Sequence, residues 1–129
     1  MTVRRLIADG LFPPPDYAHA SVAPSGLVHT AGAVPLDAEG NLVGPGDLET
    51  QTRQTLVNLR AALAAAGARP EQVVKTTVYV VAAQRPDLDR VWDVVCTSEF
   101  TGAPSTLLGV SLLGYTGQLV EIEAVAVLD

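Results

Sequence analysis

The feature that most constrains the fold is an alternating run near the C-terminus, Gln-Leu-Val-Glu-Ile-Glu-Ala-Val-Ala at residues 118–126. Its period of two and its Val/Ile content predict a β-strand. Side chains alternate between the faces of a strand, so Glu121 and Glu123 share one face with Val125. The opposite face, which includes Ile122, is wholly apolar. Such a strand belongs in the middle of a packed assembly.

The residues alone leave two explanations of this acidic pair open. The commoner one is that Glu121 and Glu123 form the solvated end of a strand. The other is that they lie on a covered surface, where carboxylates need a partner or a chemical role. If both were buried, repulsion between like charges spaced about 6–7 Å along one face would raise one pKa.

Composition restricts the class of protein. The chain has 129 residues, and we expect one domain over residues 1–129. Hydrophobic residues make up 48% of it without a membrane-length stretch, so we expect no membrane partner and a homo-oligomer that covers extra apolar surface. The net charge of −6 without a basic cluster argues against a nucleic-acid partner. A lone Cys96 excludes an intramolecular disulfide, and the absence of a signal-like core after Arg4 and Arg5 predicts a cytoplasmic protein.

The N-terminal part contains a short predicted strand, residues 3–7, and a stiff arm. Three prolines at 13–15 fix the backbone of the arm, which delivers Tyr17 to a defined place. Further on, Gly32 lies in a bend of small residues. It would let a ligand approach the backbone closely, and an ordinary turn glycine is the alternative.

The two histidines flank a predicted hairpin. Its strands, residues 20–23 and 27–30, are joined by a Pro-Ser-Gly turn. A turn centred on the serine places His29 opposite Ser21, with His19 as a diagonal neighbour on the same face. Two histidines without a nearby cysteine or carboxylate cluster do not form a zinc site, so no metal is predicted, and hydrogen-bonded structural roles remain the alternative for both.

Two helices are predicted in the middle of the chain. Asp47 is the N-cap of the first, and Gly67 ends it. Its apolar stripe consists of Leu48, Thr52, Leu56, Leu59, Leu63 and Ala66. Its remaining surface, expected to be solvated, carries Gln51, Arg53, Gln54, Asn58 and Arg60. The second helix begins at Arg85 and Pro86 and continues towards Cys96, which is expected to be a small core residue rather than a nucleophile.

A β-prone run, residues 73–81, lies between the helices. Strict alternation would place Val73, Lys75 and Thr77 on one face and Val74 on the other. The resulting order, β-ββ-α-β-α-β-β, predicts an α+β fold with a single sheet and both helices on one face. The other sheet face also carries apolar residues, and we expect another subunit to cover it.

Read together, four segments resemble the RidA/YjgF family of reactive-intermediate deaminases. Tyr-Ala-His-Ala at 17–20 is similar to the family's Tyr-Ser-Gln/His-Ala. Residues 27–37 are similar to its Leu-Val-Phe-Thr-Ser-Gly-Gln-Ile-Pro-Leu-Asp. The helix at 51–59, continued by 65–67 and 73–79, is close to the family's helix and following strand, and residues 120–126 are close to its closing strand. Together these segments span nearly the whole chain in the family's order.

The resemblance implies a chorismate-mutase-like RidA fold, assembled as a homotrimeric barrel with pockets at the subunit interfaces. It implies cofactor-free hydrolysis of enamines and imines of 2-amino acids to 2-oxo acids and ammonia. The glutamate that matches Glu121 positions the attacking water. The residues that match Tyr17, Gly32 and Thr106 line the pocket, and an arginine grips the substrate carboxylate.

The chain departs from the family at that arginine. The segment reads Ala-Pro-Ser-Thr at 103–106, so Pro104 stands where the arginine is expected, next to Ser105. Proline offers neither a charge nor an N–H. Losing a desolvated, bidentate, charged hydrogen-bond pair costs on the order of several kcal/mol of carboxylate binding. His29 also departs from the family, and the sequence neighbours of Pro104 supply no cation.

Two function classes therefore stay open. The first is an enzyme, an imine or enamine hydrolase with an altered substrate, in which Glu121 and Tyr17 are catalytic and residues 104–106, His29 and Gly32 bind the substrate. The second is a non-catalytic trimer that binds a small metabolite or regulates a partner. Ribonuclease activity is the least favoured, since there is no basic track for a phosphate backbone.

Overall fold

The alternating segments of the sequence form one mixed sheet in the computed structural model, which describes residues 2–129. In chain order the elements are β1 (Arg4–Leu6), β2 (Ala20–Val22), β3 (Leu27–Thr30), α1 (Leu48–Ala65), β4 (Val73–Val81), α2 (Arg85–Cys96), β5 (Ser105–Val110) and β6 (Val120–Val127). A short 3₁₀ turn, Pro70–Gln72, precedes β4. The predicted order of strands and helices is confirmed.

The strands lie in the order β1-β2-β3-β6-β4-β5. All neighbours are antiparallel except β4 and β5, which are parallel and joined through α2. A parallel pair needs such a crossover, because a tight hairpin reverses the chain. The run that carries Glu121 forms β6, an inner strand between β3 and β4, as its apolar faces predict.

Both helices pack on one face of the sheet, which confirms the predicted α+β arrangement. The core joins Leu59 and Leu63 of α1 and Val91 of α2 to Val78 and Ile122 of the sheet, all without solvent exposure. One ion pair joins the two helices, between Arg90 and Glu49 at 2.8 Å. Among the described residues, neither helix is both long enough and apolar enough to cross a membrane.

The ends of α1 follow the predicted signals. Asp47 is the N-cap, and its carboxylate accepts a hydrogen bond from the backbone N–H of Thr50 at 3.1 Å. Gly67 follows the helix with a φ of 87°, a left-handed conformation that glycine adopts without a steric penalty. These two signals set the length of α1.

The expected solvated surface of α1 is wrong at two positions, because Gln51 and Asn58 are buried. Gln51 donates to the carbonyls of Gly44 and Gly117, both at 3.1 Å, and accepts from the N–H of Leu119 at 2.8 Å. Asn58 donates to two other loop carbonyls (Val34 and Leu36, at 2.7 and 2.8 Å). Each amide thus satisfies loop groups that the sheet cannot reach.

Replacing Asn58 by leucine should destabilise the protein by about 2–4 kcal/mol, because two carbonyls would lose their donor in a buried place. Urea unfolding followed by circular dichroism measures the change. The matched control, Arg53→Leu, changes an exposed position of the same helix, and should alter stability by less than about 0.5 kcal/mol. Equal losses in the two variants would contradict the assignment of Asn58 as a loop tether.

Two further expectations are corrected. A bulge between Val73 and Lys75 interrupts strict alternation, so Val73 lies in the core and Val74 is exposed. Cys96 is half-buried rather than a core residue, because it lies at the last turn of α2. The sheet face opposite the helices carries Glu121 and is not covered by either helix, and the bulge sets which side chains of β4 point to it.

Candidate functional site

Glu121 lies on the sheet face away from the helices, paired with Tyr79 of β4, and is half-buried. Its Oε1 accepts a hydrogen bond from Nε2 of Gln118 at 3.0 Å. Its other oxygen faces Gly32, where a Cβ would overlap Oε2 and lie 2.5 Å from Cδ. The backbone beside Gly32 is held in place by Ala33, which exchanges two hydrogen bonds with Ile122 at 2.7 and 3.2 Å. The close approach expected at Gly32 is therefore made by the Glu121 side chain.

The surroundings of Glu121 make its carboxylate more basic. Burial raises the pKa of Glu121, the hydrogen bond from Gln118 opposes that effect, and the negative charge of Glu123 adds to it. A higher pKa strengthens a carboxylate as a proton acceptor. The structure therefore favours the second explanation of the acidic pair, in which one carboxylate is covered and its pKa is shifted.

Tyr17 reaches the same corner from the proline-rich arm. The residue before it, Asp16, has a φ of 58°, which is unusual for a residue other than glycine and turns the chain at this point. The hydroxyl of Tyr17 lies 3.4 Å from that of Tyr115. Partial burial, followed by the hydrogen bond with Tyr115, raises the pKa of Tyr17, so its phenol stays protonated at neutral pH.

The two histidines lie in different surroundings. The predicted pairing of His29 with Ser21 is confirmed. The side chain of His19, however, forms its hydrogen bonds with other segments. Its Nδ1 accepts from the N–H of Ala8 at 2.9 Å, and its Nε2 lies 3.2 Å from the carbonyl oxygen of Phe12. His19 is a structural residue that connects the arm to the segment after β1. His29, in contrast, is exposed.

Two cavities meet at Tyr17. One is small, about 30 Å³, and lies between the arm, the Gly32 segment and α1, with Tyr115 and His19 in its wall. The other is an open groove of about 660 Å³ that includes His29 and Arg5. A side chain that lines both cavities is placed to contact a ligand that enters from either one.

The predicted binding residues on β5 do not join this corner. Thr106 is two strands and two residues from Glu121 in the sheet register, about 12 Å at ordinary strand spacings. Pro104 is exposed, and its carbonyl accepts the N–H of Thr76 at 2.9 Å. Ser105 accepts from the hydroxyl of Thr76 at 2.8 Å. Tyr17, Gly32 and Glu121 therefore form one cluster and residues 104–106 another.

A cation that the sequence neighbours of Pro104 lack is present in space. Nζ of Lys75 donates to Oγ1 of Thr106 at 2.7 Å. The ion pairs of residues 2–129 are all made by arginines, and Lys75 takes part in none of them. The signal was available in the shared face of Lys75 and Thr77 on β4, but it required the parallel register that pairs Thr77 with Thr106.

The second acid of the pair is engaged differently. Tyr79 donates a hydrogen bond to Glu123, and this bond raises the pKa of Tyr79 to about 12. Gln118 and Tyr115, which contact Glu121 and Tyr17, were not predicted as site residues. Gln118 belongs to the alternating run at 118–126, but β6 begins only at Val120, and Tyr115 lies in a loop without a periodic pattern. Within residues 2–129, no three metal-binding side chains come together.

The sequence was compared with known proteins and matches one family. Residues 11–128 match the family model described as Endoribonuclease L-PSP. The RutC family protein slr0709 of Synechocystis sp. is 43% identical over 61 residues, 46% of this chain and 47% of that protein. The 2-iminobutanoate/2-iminopropanoate deaminase of Salmonella typhimurium is 41% identical over 54 residues, 42% of this chain and 41% of that protein. These local matches thus span less than half the length of either curated relative.

The solved structures extend the likeness over the whole chain. YyfA of Yersinia pestis, a conserved Rid family protein of unknown function, has a TM-score of 0.86 at 29% identity, with 98% of this chain and 100% of that chain covered. The family model alone covers far more than half of the sequence. The chain therefore belongs to the RidA/YjgF family, the Endoribonuclease L-PSP family of the matching model.

Proposed function

We propose that this protein is a cofactor-free deaminase that hydrolyses imine or enamine derivatives of 2-amino acids. The observation that carries the proposal is the Glu121 carboxylate, half-buried against the Gly32 backbone with the Tyr17 hydroxyl nearby. The deaminase of Salmonella typhimurium, similar over 54 residues, supports the same chemistry. This corner combines a carboxylate of raised pKa with a phenol that remains a donor, which suits proton transfer at a C=N bond.

In the proposed reaction, Glu121 orients a water molecule and accepts one of its protons as the water oxygen bonds to the carbon of the C=N group. Glu121 passes this proton to the nitrogen, to which the Tyr17 hydroxyl donates a hydrogen bond. The hydroxyl group of the resulting tetrahedral adduct then loses its proton to Glu121, which passes it to the same nitrogen as the C–N bond breaks and the carbonyl forms. The products are a 2-oxo acid and ammonia, so no oxidant or cofactor is required.

The substrate carboxylate needs a cation, and Lys75 is the candidate. Its ammonium group lies beside Thr106 and supplies the positive charge that an arginine at position 104 would have supplied. A 2-imino acid is about 5 Å long and does not span the roughly 12 Å between Thr106 and Glu121 of one chain. We therefore propose that each site is shared between neighbouring protomers of a homotrimer, with His29 in the groove at their boundary.

A coupled assay tests the proposal. An amino-acid oxidase generates 2-imino acids, semicarbazide traps the free imine, and the deaminase is measured by how fast it removes imine from the trap. Wild-type protein should reduce semicarbazone formation in proportion to its concentration. A wild-type protein that leaves the trapping rate unchanged for small and large aliphatic imines would exclude the deaminase.

Pro104 itself favours a second candidate, a trimer that binds a small metabolite without chemistry, because proline stands where a cation is expected in the segment before β5. A thermal-shift screen with small carboxylates and neutral metabolites separates the two functions. A compound that raises the melting temperature and is recovered unchanged after prolonged incubation would support the binding protein.

Lys75→Met should raise KM for 2-imino acids about 10-fold or more and change kcat less, because a charged hydrogen bond contributes about 1.5–3 kcal/mol of binding. Adding Pro104→Arg to that variant should restore most of the loss, since it returns a cation to the neighbouring segment. Lys75→Arg is the control that keeps the charge. Unchanged KM in Lys75→Met would remove Lys75 from the site.

A further inference from the structure

The loop before β6, residues 111–119, supplies a side chain whose position is fixed on every side. Gln118 exposes only 3% of its surface. Its Oε1 accepts the N–H of Tyr115 at 3.1 Å, which turns its NH₂ group towards β6. Nε2 then donates to the carbonyl of Val120 and to Oε1 of Glu121, both at 3.0 Å.

The two oxygens of Glu121 therefore have different contacts. Oε1 is held by the Gln118 amide, while Oε2 lies against Gly32. Buried Gln51 anchors the loop itself, through the N–H of Leu119 at 2.8 Å and the carbonyl of Gly117 at 3.1 Å. A continuous set of hydrogen bonds therefore runs from α1 through the loop to one oxygen of the acid.

We infer that Gln118 is the positioning residue of Glu121: its amide holds Oε1 and leaves Oε2 to bind the attacking water. This inference rests on the proposed function for the role of the water, whereas the contact with Glu121 does not depend on it. A neutral N–H donor favours the charged form of a carboxylate. The hydrogen bond from Gln118 therefore lowers the pKa of Glu121, whereas burial raises it.

The other titratable groups around Glu121 do not substitute for Gln118. Glu123 on the same strand disfavours the ionised form of Glu121. Tyr79 of β4 is engaged with Glu123. Tyr17 from the arm and Tyr115 from the loop form a hydroxyl pair with each other. Gln118 is thus the side-chain donor to Glu121 among the described residues.

The decisive variant is Gln118→Met, which keeps the length of the side chain and removes the amide. Loss of the amide should raise the pKa of Glu121, because the hydrogen bond from Gln118 favours the charged carboxylate. The matched control is Gln72→Met, which removes the hydrogen bond that Gln72 accepts from the N–H of Arg69 and touches neither Glu121 nor residues 111–119. Gln72→Met should leave the Glu121 pKa in place.

Two readouts keep this inference separate from the deaminase proposal. The first is direct ¹³C NMR titration of the Glu121 carboxyl group, assigned with Glu121→Gln, which requires no activity. The second is the acid limb of the kcat/KM profile, which should move to higher pH in Gln118→Met by the same amount. An unchanged carboxyl titration in Gln118→Met, or an equal shift in Gln72→Met, would overturn the positioning role. An NMR shift in a protein without imine turnover would instead retain the positioning role and reject the deaminase.

Discussion

Glu121→Gln should reduce imine hydrolysis by about 10²–10⁴-fold, the usual contribution of a general base, while the protein remains folded. Glutamine has the same shape and keeps a polar partner for Gln118, but it accepts no proton from water. The coupled oxidase assay measures the loss, and circular dichroism checks the fold. Activity within about threefold of wild type would exclude Glu121 as the base.

The same variant has a predictable effect on stability. The folded-state pKa of Glu121 is raised, so the folded protein binds the proton more tightly than the unfolded chain does. The contribution of this carboxyl group to stability is therefore fully present below its unfolded pKa and is lost as pH rises through the folded value. At neutral pH the charged group disfavours folding, and Glu121→Gln should show a higher midpoint of unfolding than wild type at pH 7 but not at pH 4.

Glu123→Gln is the matched control, because it neutralises an acid two residues away on the same face. It removes the negative charge of the group that accepts the Tyr79 hydrogen bond, which an amide oxygen still accepts, and it removes no contact of the Gln118 amide. Its imine turnover should stay within a few-fold of wild type. If both substitutions abolish turnover equally, the charge of the face, rather than the base at Glu121, controls the reaction.

Gly32→Ala should have the second-largest effect. The backbone of Gly32 is not left-handed, so the substitution is a test of space rather than of conformation. The added Cβ would overlap Oε2 of Glu121 and lie 2.6 Å from its Cγ. The Glu121 side chain must move, which should lower turnover about 10²-fold or more and destabilise the fold by about 1–3 kcal/mol.

Gly114→Ala is the control for the glycine substitution, since a Cβ at Gly114 meets no atom within 4 Å. It should leave both turnover and the urea midpoint near the wild-type values. The two variants are compared by the same assay and by urea unfolding. Full activity in Gly32→Ala would mean that the observed position of Glu121 is not the one used in the reaction.

The sequence determined the elements of the fold because each has a local signal. The alternation around Glu121 predicted an inner strand, and Asp47 and Gly67 predicted the ends of α1. Local signals failed where long-range contacts decide the outcome. Gln51 and Asn58 look like solvated helix residues, but apart from Gly44 the loop groups they hold are 22–68 positions away in sequence.

The candidate site was predictable only in part for the same reason. Glu121 and Gly32 were chosen from their own segments, and the structure brings them together through the bridge between Ala33 and Ile122. The contact of Lys75 with Thr106 depends on the register of two strands joined by a helix, and that register is not encoded in either strand alone. Whether residues 104–106 complete the site from a neighbouring protomer remains a prediction.

The two amide tethers of α1 also affect how the protein loses activity. Gln51 holds the loop before Glu121, and Asn58 holds the segment after Gly32, one helix thus restraining both flanks of the acid. Because α1 is part of the central core, these flanks belong to the same cooperative unit as the sheet. Opening of the reactive corner alone would break buried hydrogen bonds, and no other part of the chain would gain conformational entropy to offset that cost. Inactivation by heat and global melting should therefore coincide.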